Sequence, residues 1–547
     1  MEHYLSTLRR SMVSQWKQPA LCNYRGETIT NEELAVYITQ FGRMFAKAGI
    51  AKGDKIAVCA KNTARWAVSF LAVNASGAVG VTILSDFHPD SIVHLVNHSE
   101  SVMLFTDREI WDRLDRSVMP LLKMAVDVDD FSLLYCTDDA FGKAFSELEA
   151  SLGKALAAGM DPESFSLPTD NLDDLAVINY TSGTTSDPKG VMLTYRNLSS
   201  SVSFGHENIA IYPDDNIVSM LPMAHIYGMV YEFLYPLSGG CTVYYLGKTP
   251  APSLLLKAMH DVRPFMVCTV PLVMEKVYKS SLKPVLDKWY MKLLTALPGI
   301  GGAIYGKVRG KLDAAFGGKV RVYIMGGAAL NPEVERCFKR MGLHYTVGYG
   351  MTEAAPLLAY EDWRRYRPGS CGKPISYVSV RIDSDDPRHI AGEIQAKGSN
   401  ITIGYFKNEE ATASAFTDDG YLRTGDLGIM DGDGNIFIKG RSKNMILSSN
   451  GQNIYPEELE AVVSNQEFVS ESVVVDRGGK IVALVYLDPE AVKNSGLDKE
   501  TLAALPEKIR TAANRRLPLY SQIVKVEMVS VPFEKTPKMS IKRFLYK

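Results

Sequence analysis

Short apolar runs rich in β-branched residues alternate with amphipathic helical stretches through the first three quarters of the chain. No other feature narrows the fold as far. Ile56-Ala57-Val58-Cys59, Val79-Gly80-Val81-Thr82-Ile83 and Val102-Met103-Leu104-Phe105 read as buried strands, and helical periodicity covers 31–48 and 89–97. Strands without polar alternation are covered on both faces, so the pattern predicts βαβ units in largely parallel sheets flanked by helices. A second set follows at Thr242-Val243-Tyr244-Tyr245, Phe265-Met266-Val267-Cys268 and Val320-Arg321-Val322-Tyr323-Ile324. The uncharged stretch 66–85 is diluted by Ser69, Asn74, Ser76, Gly77, Gly80 and Thr82. It reads as a buried helix over about 64–76 breaking at Gly77 into a strand at about 78–84, not as a membrane span.

At 547 residues the chain exceeds what one hydrophobic core supports. After about residue 370 it changes to short strands with turn signals. The last hundred or so residues form an α+β pattern: a helix at 456–464, strands at 471–476 and 480–487, and a helix at 499–516. The expected fold class is α/β. A large domain over 1–440 combines mostly parallel βα layers with a β-rich part, and a small mobile α+β domain covers 441–547, with the boundary at Gly440-Arg441-Ser442-Lys443.

A net charge of −2 supplies no field to recruit a nucleic acid. Seven scattered cysteines, never in a C-x-x-C pair, favour reduced thiols and a cytoplasmic location, and no apolar run follows the first ten residues as a signal peptide requires. Asp431-Gly432-Asp433-Gly434-Asn435 echoes a calcium loop, but Ile436 and Ser442 stand where glycine and glutamate are needed, so a β-turn is expected.

Tyr180-Thr181-Ser182-Gly183-Thr184-Thr185-Ser186-Asp187-Pro188-Lys189-Gly190 follows the apolar run 175–178. Its backbone N–H groups, hydroxyls and one ammonium suit a polyphosphate. It is not a P-loop, and Gly247-Lys248-Thr249 fails that pattern because Thr242 occupies the first glycine position. Its companions are Gly326-Gly327-Ala328 after a strand and Tyr349-Gly350-Met351-Thr352-Glu353 at a turn. Thr424-Gly425-Asp426 puts a carboxylate on a tight turn, and Gly392-Glu393-Ile394 through Gly404-Tyr405, Gly440-Arg441-Ser442-Lys443 and Pro456-Glu457-Glu458 complete the set.

In order and spacing these motifs resemble the adenylate-forming superfamily of acyl-CoA synthetases, luciferases and peptide-synthetase adenylation domains, from about residue 20 to the C-terminus. The resemblance implies that a carboxylate attacks ATP to give an acyl-adenylate, and that a thiol, usually of coenzyme A, then displaces AMP. It assigns Thr181, Ser182, Gly183, Thr184, Thr185 and Lys189 to the β- and γ-phosphates. Glu353 would take Mg²⁺, Thr352 would lie by the α-phosphate, and Gly326, Gly327, Ala328 and Tyr349 would hold adenine. Asp426 would bind the ribose with Arg441. His225, in Leu221-Pro222-Met223-Ala224-His225, would lie beside the acyl carboxylate. Lys443 would be the hinge and Gly451 would belong to the pantetheine tunnel.

Two departures stand out. Ser186 replaces a loop glycine, and the tail Lys535-Thr536-Pro537-Lys538-Met539-Ser540-Ile541-Lys542-Arg543 places Ser540 where the family carries its adenylation lysine. Lys538 and Lys542 flank that position at two residues either way, on one side of an extended segment. Either supplies the missing charge, or the first half-reaction is slow.

The insert-like segment 271–320 carries lysines at 276, 279, 283, 288 and 292, Trp289-Tyr290, and a helix ending in Lys307-Val308-Arg309-Gly310-Lys311. It resembles the long-chain fatty acyl-CoA synthetases, which implies a long-chain fatty acid as substrate. A solvated basic helical face and peripheral contact of 276–311 with the inner face of a membrane both suit its composition. Transfer to an acyl carrier protein, a medium-chain or aromatic acid, and a weakly active nucleotide- or acyl-binding homologue remain alternatives.

Overall fold

The computed structural model describes residues 1–181, 188–247, 252–297, 299–447, 453–535 and 541–546. An eight-stranded sheet lies at its centre. Five strands are parallel, in the order Leu175–Thr181, Val79–Thr82, Lys55–Cys59, Ser101–Thr106 and Met124–Asp127. Antiparallel strands finish both edges: Lys189–Thr194 and then Gly404–Tyr405 beside Leu175–Thr181, and Leu133–Cys136 beside Met124–Asp127.

The helices pack as their sequence pattern demands. Asn31–Lys47 starts at a reciprocal Thr30/Glu33 capping box and turns Leu34, Phe41 and Phe45 into the core. Ala64–Ala75 is capped by Thr63 and stacks Trp66 on Phe70 at 5.6 Å. It ends at Gly77, whose φ of +79° a side-chain-bearing residue adopts only with strain.

The second set of strands divides between two sheets. Thr242–Tyr245 lies in a four-stranded sheet with Asn216–Ser219, Pro19–Asn23 and Thr28–Thr30. Met266–Thr269, Val322–Met325 and Tyr345–Val347 make a separate parallel sheet. Asn216–Ser219 and Pro19–Asn23 flank Thr242–Tyr245, so both of its edges are paired within that sheet. The Phe265 N–H donates to Asn216 O (3.0 Å) and ties the two sheets together.

A β-rich layer follows, antiparallel in the order Val378–Asp383, Gly392–Gly398, Leu422–Met430, Ile436–Arg441. Its last hairpin closes on Asp431, whose Oδ1 accepts from Asp433 N and Asn435 N, both at 2.9 Å. The β-turn expected from the acidic run is therefore present.

Beyond it, Val469–Asp476, Ile481–Leu487 and Lys525–Val529 form a three-stranded sheet with helices Pro456–Val463 and Lys499–Asn514. Leu459, Val463, Val485, Leu505 and Ile509 share a core of their own there. The segment 271–320 folds into Pro271–Val277, a π turn Tyr278–Leu282, Lys283–Leu286, Trp289–Ala296 and Ile300–Ala315. The last helix runs past Lys311, because Leu312 is buried and carries it onward. The basic row is not uniformly solvated. Lys279 reaches across to the C-terminal unit, where its ammonium donates to Ser464 O (3.1 Å) and Val469 O (3.3 Å). Among the described residues no helix is long and apolar enough to cross a membrane.

Candidate active site

Asp426 does not sit on a turn. It lies within the continuous strand Leu422–Met430, where Gly425 at φ +70° bulges the chain and swings the carboxylate inward. On the adjacent strand Arg441 is its register partner and donates from Nε to Asp426 Oδ1 at 2.7 Å. The Tyr349 hydroxyl donates to Oδ2 at 2.7 Å, and Thr424 Oγ1 accepts the Asp426 N–H at 3.1 Å. Asp426 is 4% exposed. Burial pushes its carboxyl upward, while the Arg441 cation and the Tyr349 hydroxyl pull it back. Tyr349 is also buried, so its phenol stays protonated and remains a donor.

Val322–Met325 delivers Gly326, Gly327 and Ala328 at its end. Gly327 has φ +88°, and Gly327 and Ala328 are exposed. Gly326 lies on the Tyr227 ring, where a Cβ would stand 3.3 Å from Cε1. The Tyr227 hydroxyl donates to Ile324 O at 3.2 Å, so ring and strand end are held together.

Leu175–Thr181 and Lys189–Thr194 are the two arms of a hairpin, with Thr181 opposite Lys189. Ser182, Gly183, Thr184 and Thr185 lie between them, outside the described residues, as do Gly451, Lys538 and Ser540. Lys189 Nζ lies 4.9 Å from the centroid of the Tyr405 ring. The Tyr405 hydroxyl donates to Glu353 Oε1 at 2.9 Å. Glu353 stands on the short turn Thr352–Ala354, and its carbonyl accepts from Thr402 N at 2.8 Å. Thr352 beside it is buried.

His225 caps the short helix Ile226–Gly228. Its Nδ1 accepts the Tyr227 N–H at 3.1 Å, which leaves the proton of the neutral ring on Nε2. Three side chains pin the loop that carries it. Asn179 donates to Ala224 O (2.6 Å), Asn62 accepts from Met223 N (2.9 Å), and Glu232 Oε2 accepts from Met220 N (2.8 Å) and Leu221 N (2.7 Å). Glu232 is fully buried on the π turn Met229–Leu234, and burial holds its carboxyl well above the ordinary range despite those two donors.

Sequence reasoning missed Glu232, Asn179 and the role of Tyr405. The first two carried a signal, each being the lone strongly polar residue in an apolar run. Tyr405 ends the Gly392–Tyr405 run, but nothing in the sequence showed its role, because its partners are distant in the chain.

Lys443 is exposed on the turn Ser442–Asn444, whose flanks are tied by Ser442 Oγ to Gly425 O (3.1 Å) and Asn444 Nδ2 to Glu457 Oε1 (2.8 Å). Lys542 does not reach toward these groups. Its ammonium is paired with Glu534 inside the C-terminal unit. Among the described residues no cluster of three or more His, Cys, Asp or Glu side chains could hold a metal. Glu353 offers one carboxylate, a hard oxygen donor of the kind that Mg²⁺ takes together with phosphate and water oxygens.

The AMP-binding enzyme family matches residues 8–406, and the AMP-binding enzyme C-terminal domain matches residues 443–546. A long-chain-fatty-acid–CoA ligase of Mycobacterium tuberculosis is 28% identical over 559 residues, covering 94% of this chain and 90% of that protein. Long-chain-fatty-acid–CoA ligase 1 of Saccharomyces cerevisiae is 27% identical over 510 residues, covering 85% and 72%. In fold, the chain is similar to ATP-bound MatB from Rhodopseudomonas palustris, at a TM-score of 0.78 and 23% identity over 100% of this chain and 98% of that one. It is also similar to the o-succinylbenzoate coenzyme A synthetase of Bacillus subtilis in complex with ATP and magnesium, at 0.75 and 21% over 100% and 99%.

Proposed function

The chain belongs to the AMP-binding enzyme family, and on that premise we propose that it joins a long-chain fatty acid to coenzyme A at the expense of ATP. The substrate class is supported by the relatives, which are named for that reaction. The observation that carries the chemistry is the junction at Tyr405, where the Lys189 ammonium and the Glu353 carboxylate meet on one side chain.

In the first half-reaction a carboxylate oxygen attacks the α-phosphorus, the bond to the α,β-bridging oxygen breaks, and pyrophosphate leaves. In the second, the coenzyme A thiol loses its proton, its sulfur attacks the acyl carbonyl carbon, and AMP departs with the oxygen. Both steps depend on placement and charge neutralisation. Lys189, with Thr181 and the 182–185 loop, holds the β- and γ-phosphates. Asp426 and Arg441 orient the ribose, and Tyr349 and the Gly326–Ala328 backbone flank adenine. His225 lies beside the acyl carboxylate and Thr352 near the α-phosphate. Mg²⁺ on Glu353 neutralises phosphate charge when bound.

Lys538 or Lys542 completes the charge at the α-phosphate after Lys443 lets the small domain over 441–547 swing. For Lys542 that swing must break its pair with Glu534. Wild-type pyrophosphate exchange in Lys538→Ala, Lys542→Ala and the double variant removes that role. The function itself is tested by AMP formation across a panel of acids, with free coenzyme A and with a phosphopantetheinyl carrier protein as separate acceptors. The expected result is turnover with long-chain acids and coenzyme A; no AMP or pyrophosphate exchange with any acid defeats it.

Peripheral contact of 276–311 with the cytoplasmic face of a membrane belongs to the same reading. Trp289 is 78% and Leu293 60% exposed beside Lys288 and Lys292, whereas Lys279 is committed to the C-terminal unit. Equal sedimentation of wild type and Trp289→Ser/Leu293→Ser with anionic vesicles removes it.

A further inference from the structure

We propose that Tyr405 is a positioning residue that sets the Glu353 carboxylate for its cation and backs the Lys189 ammonium, so that one side chain aligns both charges at the polyphosphate. The proposal rests on the assignment of Glu353 and Lys189 to magnesium–ATP.

Tyr405 comes from a strand of two residues, Gly404–Tyr405, added antiparallel to Lys189–Thr194 at the edge of the central sheet, with Tyr405 opposite Val191. Three bonds fix that short strand. Thr402 Oγ1 donates to Met192 O (2.6 Å), Phe406 N to Gly190 O (2.8 Å), and Tyr405 N to Thr412 Oγ1 (2.9 Å). Gly404 is at φ +133°, and a Cβ there would meet Thr412 Cγ2 at 2.5 Å, so the close approach of the strand to the helix Glu409–Ala415 requires glycine.

The ring lies between the two charged groups. Its face lies under Lys189 and its hydroxyl reaches Glu353 Oε1. Thr402, on the same connection, also takes the Glu353 carbonyl through its N–H. The carboxylate is thus held by its side chain and by its backbone from one segment. A hydroxyl bonded to one carboxylate oxygen fixes the direction of the other, as outer partners of metal ligands do.

Tyr405→Phe removes the hydroxyl and keeps the ring, so it separates positioning from packing. Binding of a fluorescent ATP analogue is titrated against Mg²⁺ without any acid present, for wild type and Tyr405→Phe, beside AMP binding and melting temperature. The expected result is an increase of about tenfold in the Mg²⁺ needed for half-maximal binding, with AMP affinity and melting temperature unchanged. Pyrophosphate exchange should recover at high Mg²⁺. An unchanged Mg²⁺ requirement overturns the proposal, as does an equal loss of AMP binding. If wild type itself shows no Mg²⁺ dependence, the assignment of Glu353 falls and the proposal falls with it. An unchanged requirement in Tyr405→Phe alone leaves that assignment standing.

Discussion

The Asp426 corner and the Glu353 edge each centre on one carboxylate, yet they are built on opposite terms. Asp426 is buried between two paired strands, and each oxygen already accepts a bond, from Arg441 and from Tyr349. Glu353 is half-buried on a three-residue turn and is steadied by one tyrosine hydroxyl. The first is a finished piece of structure before any ligand arrives. The second has no salt-bridge partner among the described residues, and on the proposed assignment its counter-charge arrives with the bound cation. On the proposed assignment the site divides its work, with rigidity at the ribose and electrostatic demand at the phosphates.

Glu353→Gln should break the comparison most visibly. It removes the charge, keeps an acceptor for Tyr405, and leaves the fold untouched. Pyrophosphate exchange should fall on the order of 10³-fold, about 4 kcal/mol of barrier. The melting temperature should stay within about 2 °C of wild type. A comparable loss of stability would mean that Glu353 is as structural as Asp426, and the distinction would disappear.

Asp426→Asn should show the reverse balance. The amide offers one oxygen to two donors and turns an N–H toward the other, inside a buried corner. A stability loss of about 1–3 kcal/mol is expected, with ATP affinity falling by about tenfold. Urea unfolding and calorimetric titration measure the two. Weakened ATP binding with unaltered unfolding would show that the corner is completed by the ribose, as the phosphate edge is by its ligand.

The two regions were not equally legible in the sequence. Strands such as Lys55–Cys59 follow from a continuous apolar run and helices such as Pro456–Val463 from spaced apolar positions, because the residues each buries are local in the chain. The loop at 180–190 and the Tyr349–Glu353 run were visible as residue types suited to phosphate and cation. The bulge that aims Asp426 was read as a turn, since a glycine at positive φ serves both and only the strand pairing decides. Tyr405 was hidden for a different reason. Its partners Lys189 and Glu353 arrive from two other segments, and a two-residue strand has no periodicity to read. The split of the second strand set was equally invisible, because the central pairing between Pro19–Asn23 and Thr242–Tyr245 joins residues far apart in the chain.

Glu232 extends the comparison to a third carboxyl, one that touches no proposed ligand and holds the His225 loop from behind through Met220 N and Leu221 N. Burial raises its carboxyl well above the ordinary value, so the folded protein keeps a proton that the unfolded chain gives up above ~4.3. The stability this group contributes is complete below that pH and is lost as pH rises toward the folded-state value. Glu232→Gln accepts the same two N–H bonds and binds no proton in either state. Its stability relative to wild type should therefore climb with pH above ~4.3, by at most about 1.4 kcal/mol per unit, and urea unfolding over the acid-to-neutral range measures that slope. A flat difference would mean that Glu232 is ionised in the fold. The core behind His225 would then tolerate charge as the Asp426 corner does, and the separation of structural from electrostatic carboxylates would have to be redrawn there.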